Sequence, residues 1–331
     1  MTFRSVLIVG AGSVGQVFGA AVQRAGAKVS FYVREKHVAQ AKRGFDLWQI
    51  SMVHAPVAQR LDGASAITQP EQVRDIAPDL VILATPANAL REGWLAPLLH
   101  AAPNAVVVAL FASEAELALV QKAGAAPDRV VGGQIGFIAY AAPLSGETRF
   151  AHPGTACWFP PFSPTRFSGA TAARDAVVDF LHMGGLPSAT TRDVAHGNAL
   201  TLPVATSYLL GLECEGWNFA RFFGGDTSKR AEAAALQGAA AVASSHGVSV
   251  PLGVRLAARR GFVEAMLKAG EAIVPLPLET YLGVHFTKVG AQTHLYLREL
   301  VAEAKNRRCD VGEIEALLDK RGASVPPLKS N

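Results

Sequence analysis

Ser5-Val-Leu-Ile-Val-Gly-Ala-Gly-Ser-Val-Gly15 decides the fold. Its first half is a short unbroken apolar run, the pattern of a strand buried on both faces of a parallel sheet. Its second half is Gly10-x-Gly12-x-x-Gly15. An amphipathic segment follows, with Val14, Phe18, Ala21 and Val22 on one face and Gly26 as its stop, and then Lys28 to Val33 reads as a second strand. The glycines therefore sit where strand turns into helix inside a βαβ unit. There Gly10 permits the tight turn, Gly12 lets backbone approach a pyrophosphate, and Gly15 lets helix and strand pack closely. The N–H groups of the first helical turn, at Ser13, Val14 and Gly15, point at the phosphates from the positive end of the helix dipole.

Specificity for the ribose is read just after the second strand. An NAD site places a carboxylate there for the 2′-hydroxyl, whereas this chain offers Arg34, Glu35 and Lys36. A guanidinium suits a 2′-phosphate, which it can clamp with paired hydrogen bonds. Arg34 with Lys36 thus predicts NADP(H), although Glu35 complicates the cluster.

Further buried strands are predicted at Asp79 to Thr85, Ala105 to Leu110 and Arg129 to Gly133. Strands alternating with helical stretches predict a Rossmann-type, doubly wound α/β domain. Ligands of such sheets lie beyond the carboxyl ends of the strands, which places Thr85, Pro86, Asn88 and Phe111 on the binding rim. Between Gly136 and Ser168 the texture changes. Tyr140 to Gly146 and His152 to Trp158 read as antiparallel strands, and Pro160, Pro161 and Pro164 bar a helix. After a helix over 172–183 the pattern becomes helical, with segments predicted at 193–211, 228–246, 252–270, 290–308 and from Gly312. The expected division is a dinucleotide-binding domain over 1–188 and an all-α substrate and dimerisation domain over 189–331.

The 331 residues carry 31 Lys+Arg against 27 Asp+Glu, a formal charge of +4, with 50% hydrophobic and 18% charged residues. So apolar a chain has ample surface to bury and is not disordered. Without a basic stripe or tail, the small positive charge excludes nucleic acid as an expected partner. Mean hydropathy is +0.23, yet no apolar run approaches the ~18 residues of a membrane helix, and the N-terminal run is too short for a secretion signal. Three scattered cysteines, Cys157, Cys214 and Cys309, have no metal-ligand spacing. They fit a reducing compartment, so a soluble cytoplasmic protein without a metal site is expected.

Val6 to Gly15, Arg34 after the second strand, the segment Gly146 to Trp158 and the Asn198…Pro203 helix together resemble the ketopantoate reductase (2-dehydropantoate 2-reductase) family. That family belongs to the wider group whose helical domain is like that of 6-phosphogluconate dehydrogenase. The resemblance implies an NADPH-dependent oxidoreductase, with hydride passing to a 2-keto acid carbonyl in a cleft between the domains. It also carries departures. The family's catalytic lysine falls at Val194, an asparagine before the proline is Leu202, and a lysine common after the fourth strand is Pro86. A loop asparagine is replaced within Ala109-Leu-Phe111. A late acidic residue has no clear counterpart in His285 to Thr293.

Such a reductase needs a proton donor near the carbonyl and a group to hold the carboxylate. His196 and Asn198, two apart and so on different helical faces, are candidates, Asn198 by its match to a family position. His285, Thr287 and Lys288 form the other set, in which Lys288 would replace the missing positive charge. Thr293 and Gln292 are neutral donors nearby. His152 reads as structural, and Trp217, Phe219, Phe222 and Phe223 as core or dimer contact. The catalytic expectation rests on His196, Asn198 and Lys288. The substrate is a small keto acid or related carbonyl and the expected assembly a homodimer. The alternatives are an opine-like imine reductase and a non-enzymatic NADP-binding sensor or scaffold.

Overall fold

The structure, a computed structural model, describes residues 2–110 and 113–324. The chain divides into two compact units, Met1–His196 and Gly197–Asn331. In the first, β1 (Ser5–Val9), β2 (Lys28–Tyr32), β5 (Ser65–Ile67), β6 (Leu80–Leu83), β7 (Val106–Ala109), β8 (Val130–Gln134), β11 (Thr165–Gly169) and β12 (Ser188–Thr190) form one sheet. Its order is β12-β11-β8-β7-β6-β1-β2-β5, parallel from β5 to β8. Strand β11 pairs antiparallel to β8, and β12 pairs parallel to β11. That pairing carries the first unit past residue 188, because the segment there supplies the sheet's edge strand.

The continuous apolar runs have the expected cause. On β1, Val6 and Ile8 join the core on one face of the sheet, while Leu7 and Val9 join the core on the other. The same alternation holds for Leu80 and Ile82 against Val81 and Leu83. Helices α1 (Ser13–Arg24), α2 (Val38–Arg43), α3 (Val73–Ile76), α4 (Leu95–Ala101), α5 (Glu114–Lys122) and α6 (Thr171–Met183) complete the layers.

A second sheet, of order β4-β3-β10-β9, was only half legible in the sequence. Strands β9 (Ile138–Ala142) and β10 (Gly154–Trp158) pair antiparallel as read from the turn pattern. They are joined by a hairpin of β3 (Phe45–Gln49) and β4 (Val57–Leu61), whose exposed Val57, Ala58 and Arg60 give no apolar alternation to read.

The second unit is helical: α8 (Leu202–Cys214), α9 (Phe219–Gly224), α10 (Thr227–Ser245), α11 (Leu252–Ala257), α12 (Arg260–Ile273), α13 (Leu278–Asn306) and α14 (Gly312–Ser324). The short α7 (Val194–Ala199) ends at Leu200 and Thr201, so the single helix expected over 193–211 is two. Helix α13 starts twelve residues before the expected position (290 against 278). Small residues set the approach of α8 and α10. A Cβ on Gly211 would stand 2.8 Å from Phe222 and 3.1 Å from Ala231, and one on Gly238 would stand 2.8 Å from Pro203. Phe219, Phe222 and Phe223 are buried in this core. Among the described residues no helix is long and apolar enough to cross a membrane.

A buried carboxylate ties three of these helices. Glu213 of α8 bonds His294 of α13 at 2.7 Å and Arg321 of α14 at 2.8 Å, with its side chain 8% exposed. Burial alone would raise its pKa, but hydrogen bonds from His294 and Arg321 outweigh that and lower it. A depressed folded pKa adds stability above the unfolded carboxylate's value and loses it as pH falls through the folded one. Glu213→Ala should therefore cost about 3 to 5 kcal/mol in denaturant unfolding, because it strands buried charge. The advantage of wild type over Glu213→Gln should shrink as pH falls below 4.5, the ordinary value. A gap constant across that range would show that ionised Glu213 is not the source.

Candidate functional site

The glycine turn assigns each glycine a different reason. Gly10 has φ +96°, and a Cβ there would lie 3.0 Å from both the Ala84 carbonyl oxygen and Thr85 Cγ2. A Cβ on Gly15 would lie 2.1 Å from the Gly10 carbonyl oxygen, so only glycine fits. Gly12 differs from both. Its φ of −71° suits any residue, and a Cβ would meet nothing within 4 Å. Neither strain nor packing demands glycine at position 12. What remains is the open space beside it, where a side chain would block close approach to the backbone.

That space adjoins the start of α1, whose Gly12 cap makes no side-chain bond and whose first turn holds no acidic residue. The first N–H groups of a helix have no partner within it, so those of Ser13, Val14 and Gly15 are available to an anion. Gln16 fixes the turn from inside. Its amide donates to the Ala11 carbonyl at 2.8 Å and accepts from the Thr155 hydroxyl at 2.6 Å. The sequence reading missed Gln16, although a polar residue on the buried side of an apolar helix was the available signal.

The rim follows from the sheet. Gly10 N–H donates to Tyr32 at the end of β2, which brings the glycine turn beside Arg34. The guanidinium is 71% exposed and pairs with Glu92 at 3.3 Å. Lys36 and Glu35 are exposed in the single turn Glu35–His37. Across β1, Thr85 follows β6 and contributes a buried hydroxyl with no hydrogen-bond partner among the described residues. Asn88 is half-buried in the turn Ala87–Arg91. Beside it Trp94 donates to the Ala89 carbonyl at 2.7 Å and packs 6.0 Å from Tyr32. The predicted cofactor residues thus converge on one rim, and they fit a dinucleotide: open space at Gly12, a buried unpaired hydroxyl and a guanidinium. Glu92 and Trp94 were not anticipated, since neither belongs to a motif. Phe111 lies outside the described residues.

The predicted catalytic residues are more scattered. His196 is exposed at the end of the first unit. Its N–H and that of Ala195 are accepted by Asp193, which caps α7 at 3.0 and 2.9 Å. Asn198, half-buried, opens the second unit, and its carbonyl accepts from Thr201. Lys288 is exposed on α13 in the second unit, near His285. Burial, with Lys288 second, lowers the His285 pKa and so favours the neutral imidazole. The His285 ring stacks on Tyr281 at 5.3 Å and meets Phe286 edge-on at 4.8 Å, and Phe286 in turn stacks on Trp217. Thr287 and Gln292 are exposed, Thr293 buried. His152 rests on Trp48 at 4.9 Å and lies 3.8 Å from Asp46. The Cys157 thiol is buried, which pushes its pKa up to about 12 and makes it a poor nucleophile. Val194 is 2% exposed, with its Cγ2 2.9 Å from where a Gly132 Cβ would stand.

Residues 6–163 match the sequence profile described as "Ketopantoate reductase PanE/ApbA". No curated protein matches the sequence. Among solved structures, 2-dehydropantoate 2-reductase from Geobacter metallireducens GS-15 is 17% identical, with 97% of this chain and 99% of that one covered and a TM-score of 0.67. A PanE/ApbA family ketopantoate reductase from Ralstonia eutropha JMP134 is 21% identical over 96% and 97%, at 0.67. D-mandelate dehydrogenase, in a ternary structure with NADH and anilino(oxo)acetate, is 16% identical over 96% and 97%, at 0.68. At these identities the likeness establishes the fold.

The glycine geometry separates binding from stability. Gly12→Ala should leave the thermal midpoint nearly unchanged while weakening dinucleotide binding, followed by cofactor fluorescence. Gly15→Ala should lower the midpoint by several degrees or prevent folding, because its methyl collides with backbone. Equal destabilisation by both would remove the special standing of Gly12.

Proposed function

Residues 6–163 belong to the ketopantoate reductase family, and from that premise we propose that the chain is an NADPH-dependent oxidoreductase reducing a 2-keto acid or related carbonyl. The observation that carries the reading is the open space at Gly12, beside the first turn of α1. Gly10, Gly12, Ser13, Val14 and Gly15 hold the pyrophosphate, with Thr85 and Asn88 on the neighbouring rim. Arg34 with Lys36 takes the 2′-phosphate. The bound nicotinamide supplies the hydride.

The chain's own residues must then hold the substrate carboxylate and deliver a proton. Asn198 offers an amide to hydrogen-bond substrate. His196, exposed and positioned by the Asp193 cap, is the proton donor. Lys288 provides the cation for the carboxylate, since the family's lysine position is the buried, uncharged Val194. With a different cation the preferred substrate differs from ketopantoate, and an imine formed from an amine and a keto acid is within the same chemistry.

The buried Val194 also supports a second reading, a dinucleotide-binding sensor without turnover. Loss of NADPH absorbance with a panel of keto acids, with and without amines, decides between the two. Turnover supports the reductase, with His196→Ala lowering kcat more than it raises KM. Tight NADPH binding with no oxidation by any member supports the sensor.

The cofactor preference has its own test. Arg34→Ala should weaken NADPH binding by about 1 to 3 kcal/mol and leave NADH nearly untouched. Because Glu92 competes for the guanidinium, Glu92→Gln should act in the opposite direction, tightening NADPH. Equal losses for both cofactors on Arg34→Ala would overturn the 2′-phosphate assignment.

A further inference from the structure

Between β10 and β11 the chain turns through Phe159-Pro-Pro-Phe-Ser-Pro164. The Ser163 N–H donates to the Pro160 carbonyl at 3.2 Å, which closes a β-turn over Pro160–Ser163. Pro161 takes its second position and Phe162, at φ +62°, its third. That is the pattern of a type II turn, whose third position calls for glycine or asparagine. A phenylalanine there carries backbone strain, and its side chain is 100% exposed, so no packing offsets the strain. Phe162 has apolar company. Strand β3 runs parallel to β10, and the Ile50 N–H donates to the Cys157 carbonyl. The loop that follows β3 leaves Met52 52% and Val53 78% exposed. Three large apolar side chains thus sit on loops that leave neighbouring strands at one end of the small sheet, unlike apolar residues scattered singly over a surface.

That end belongs to the binding rim. Strand β8 runs parallel to β1 through β6 and β7, so both finish on the same side of the large sheet. Strand β11 is antiparallel to β8 and starts on that side, with Arg166 opposite Gln134. Just past β8, a Cβ on Gly136 would stand 2.4 Å from the Ser163 carbonyl oxygen, and the Gly136 N–H donates to the Thr165 hydroxyl at 3.2 Å. The turn is therefore seated against the chain where it leaves the strand end. We propose that Phe162 is a specificity-determining residue that meets the apolar side chain of a 2-keto acid substrate, supported by Met52 and Val53 on the neighbouring loop. The assignment rests on the reductase reading. No charged residue occurs over 50–53 or 159–165, and the ionisable groups that flank these stretches are His54 and Arg166, both exposed. A neutral apolar surface favours a hydrocarbon side chain over a second carboxylate. Pro160, Pro161 and Pro164 stiffen the turn before substrate arrives, so little freedom is lost on contact.

Calorimetric titration of the full chain, in the presence of NADP+, with 4-methyl-2-oxopentanoate and with 2-oxoglutarate tests the contact without turnover. NADPH oxidation by the same two acids tests it with turnover. Wild type should bind the apolar acid about tenfold more tightly than 2-oxoglutarate. Phe162→Gly should remove most of that preference by weakening the apolar acid alone. Its thermal midpoint should equal or exceed that of wild type, because glycine suits the turn and the lost ring was exposed. Phe162→Leu should restore part of the preference. In turnover the glycine variant should raise KM for the apolar acid more than it lowers kcat. A calorimetric preference that Phe162→Gly abolishes, with NADPH oxidised by neither acid, would support the contact and overturn the reductase reading alone. Binding of neither acid, equal affinities in wild type, or a stronger hold on 2-oxoglutarate, as Arg166 would give, would each overturn the proposal. So would a preference that survives Phe162→Gly, or a lowered midpoint in that variant.

Discussion

The carbonyl oxygen of Gly10 lies so near the α-carbon of Gly15 that even a methyl group would come within 2.1 Å of it. That single close approach sets the path of α1, and α1 organises the first unit. One turn further on, a Cβ at Gly19 would meet Leu61 at 2.8 Å and Phe31 at 3.0 Å. The same helix thus touches the parallel sheet through β2 and the second sheet through β4. Gln16, between these glycines, reaches Thr155 on β10 and the turn at Ala11. The small sheet is therefore tied to the element that presents N–H groups at the binding rim. Chain direction, packing and the candidate anion site all descend from side chains that are missing at positions 15 and 19.

Charge is used differently in the two units. Arg34 and Glu92 form an exposed pair, the kind worth at most about 1 kcal/mol, so a ligand phosphate can exchange for the carboxylate at little cost. Glu213 sits between His294 and Arg321, out of water, and holds three helices together. A buried cluster of that type cannot release one member cheaply. The first arrangement suits recognition and the second suits architecture. Exposure separates the two, since both contain an arginine and a glutamate at hydrogen-bonding distance.

The parallel sheet was legible because its strands are buried on both faces, and Val6 to Val9 or Leu80 to Leu83 can be little else. The glycine turn was legible because the three positions follow from turn, approach and packing. The β3–β4 hairpin was not, since exposed Val57, Ala58 and Arg60 erase the alternation that marks a strand. Helix α13 reads late because glycines at 283 and 290 lower its propensity. Tertiary packing retains them: Gly283 accommodates Trp217 and Gly290 lies beside Glu213. Glu92 and Gln16 were invisible for another reason. Each acts through a partner distant in sequence, and no local pattern records such a partner.

Val194, where the resemblance places the family's lysine, is fixed by its packing. The residue begins α7, its N–H is held by the buried Ser168 hydroxyl at 3.1 Å, and its side chain packs over Gly132 of β8. Gly132 also lies close to Leu117 of α5. A lysine placed in that apolar contact would have to bury its stem and lead its ammonium out between α5 and β8, or lose its charge. The valine and the missing Cβ of Gly132 thus make one packing solution, and restoring the lysine alone would disturb it. Lys288, by contrast, is exposed on α13 and lies outside that packing, near His285, whose pKa is lowered by burial and then by the same lysine.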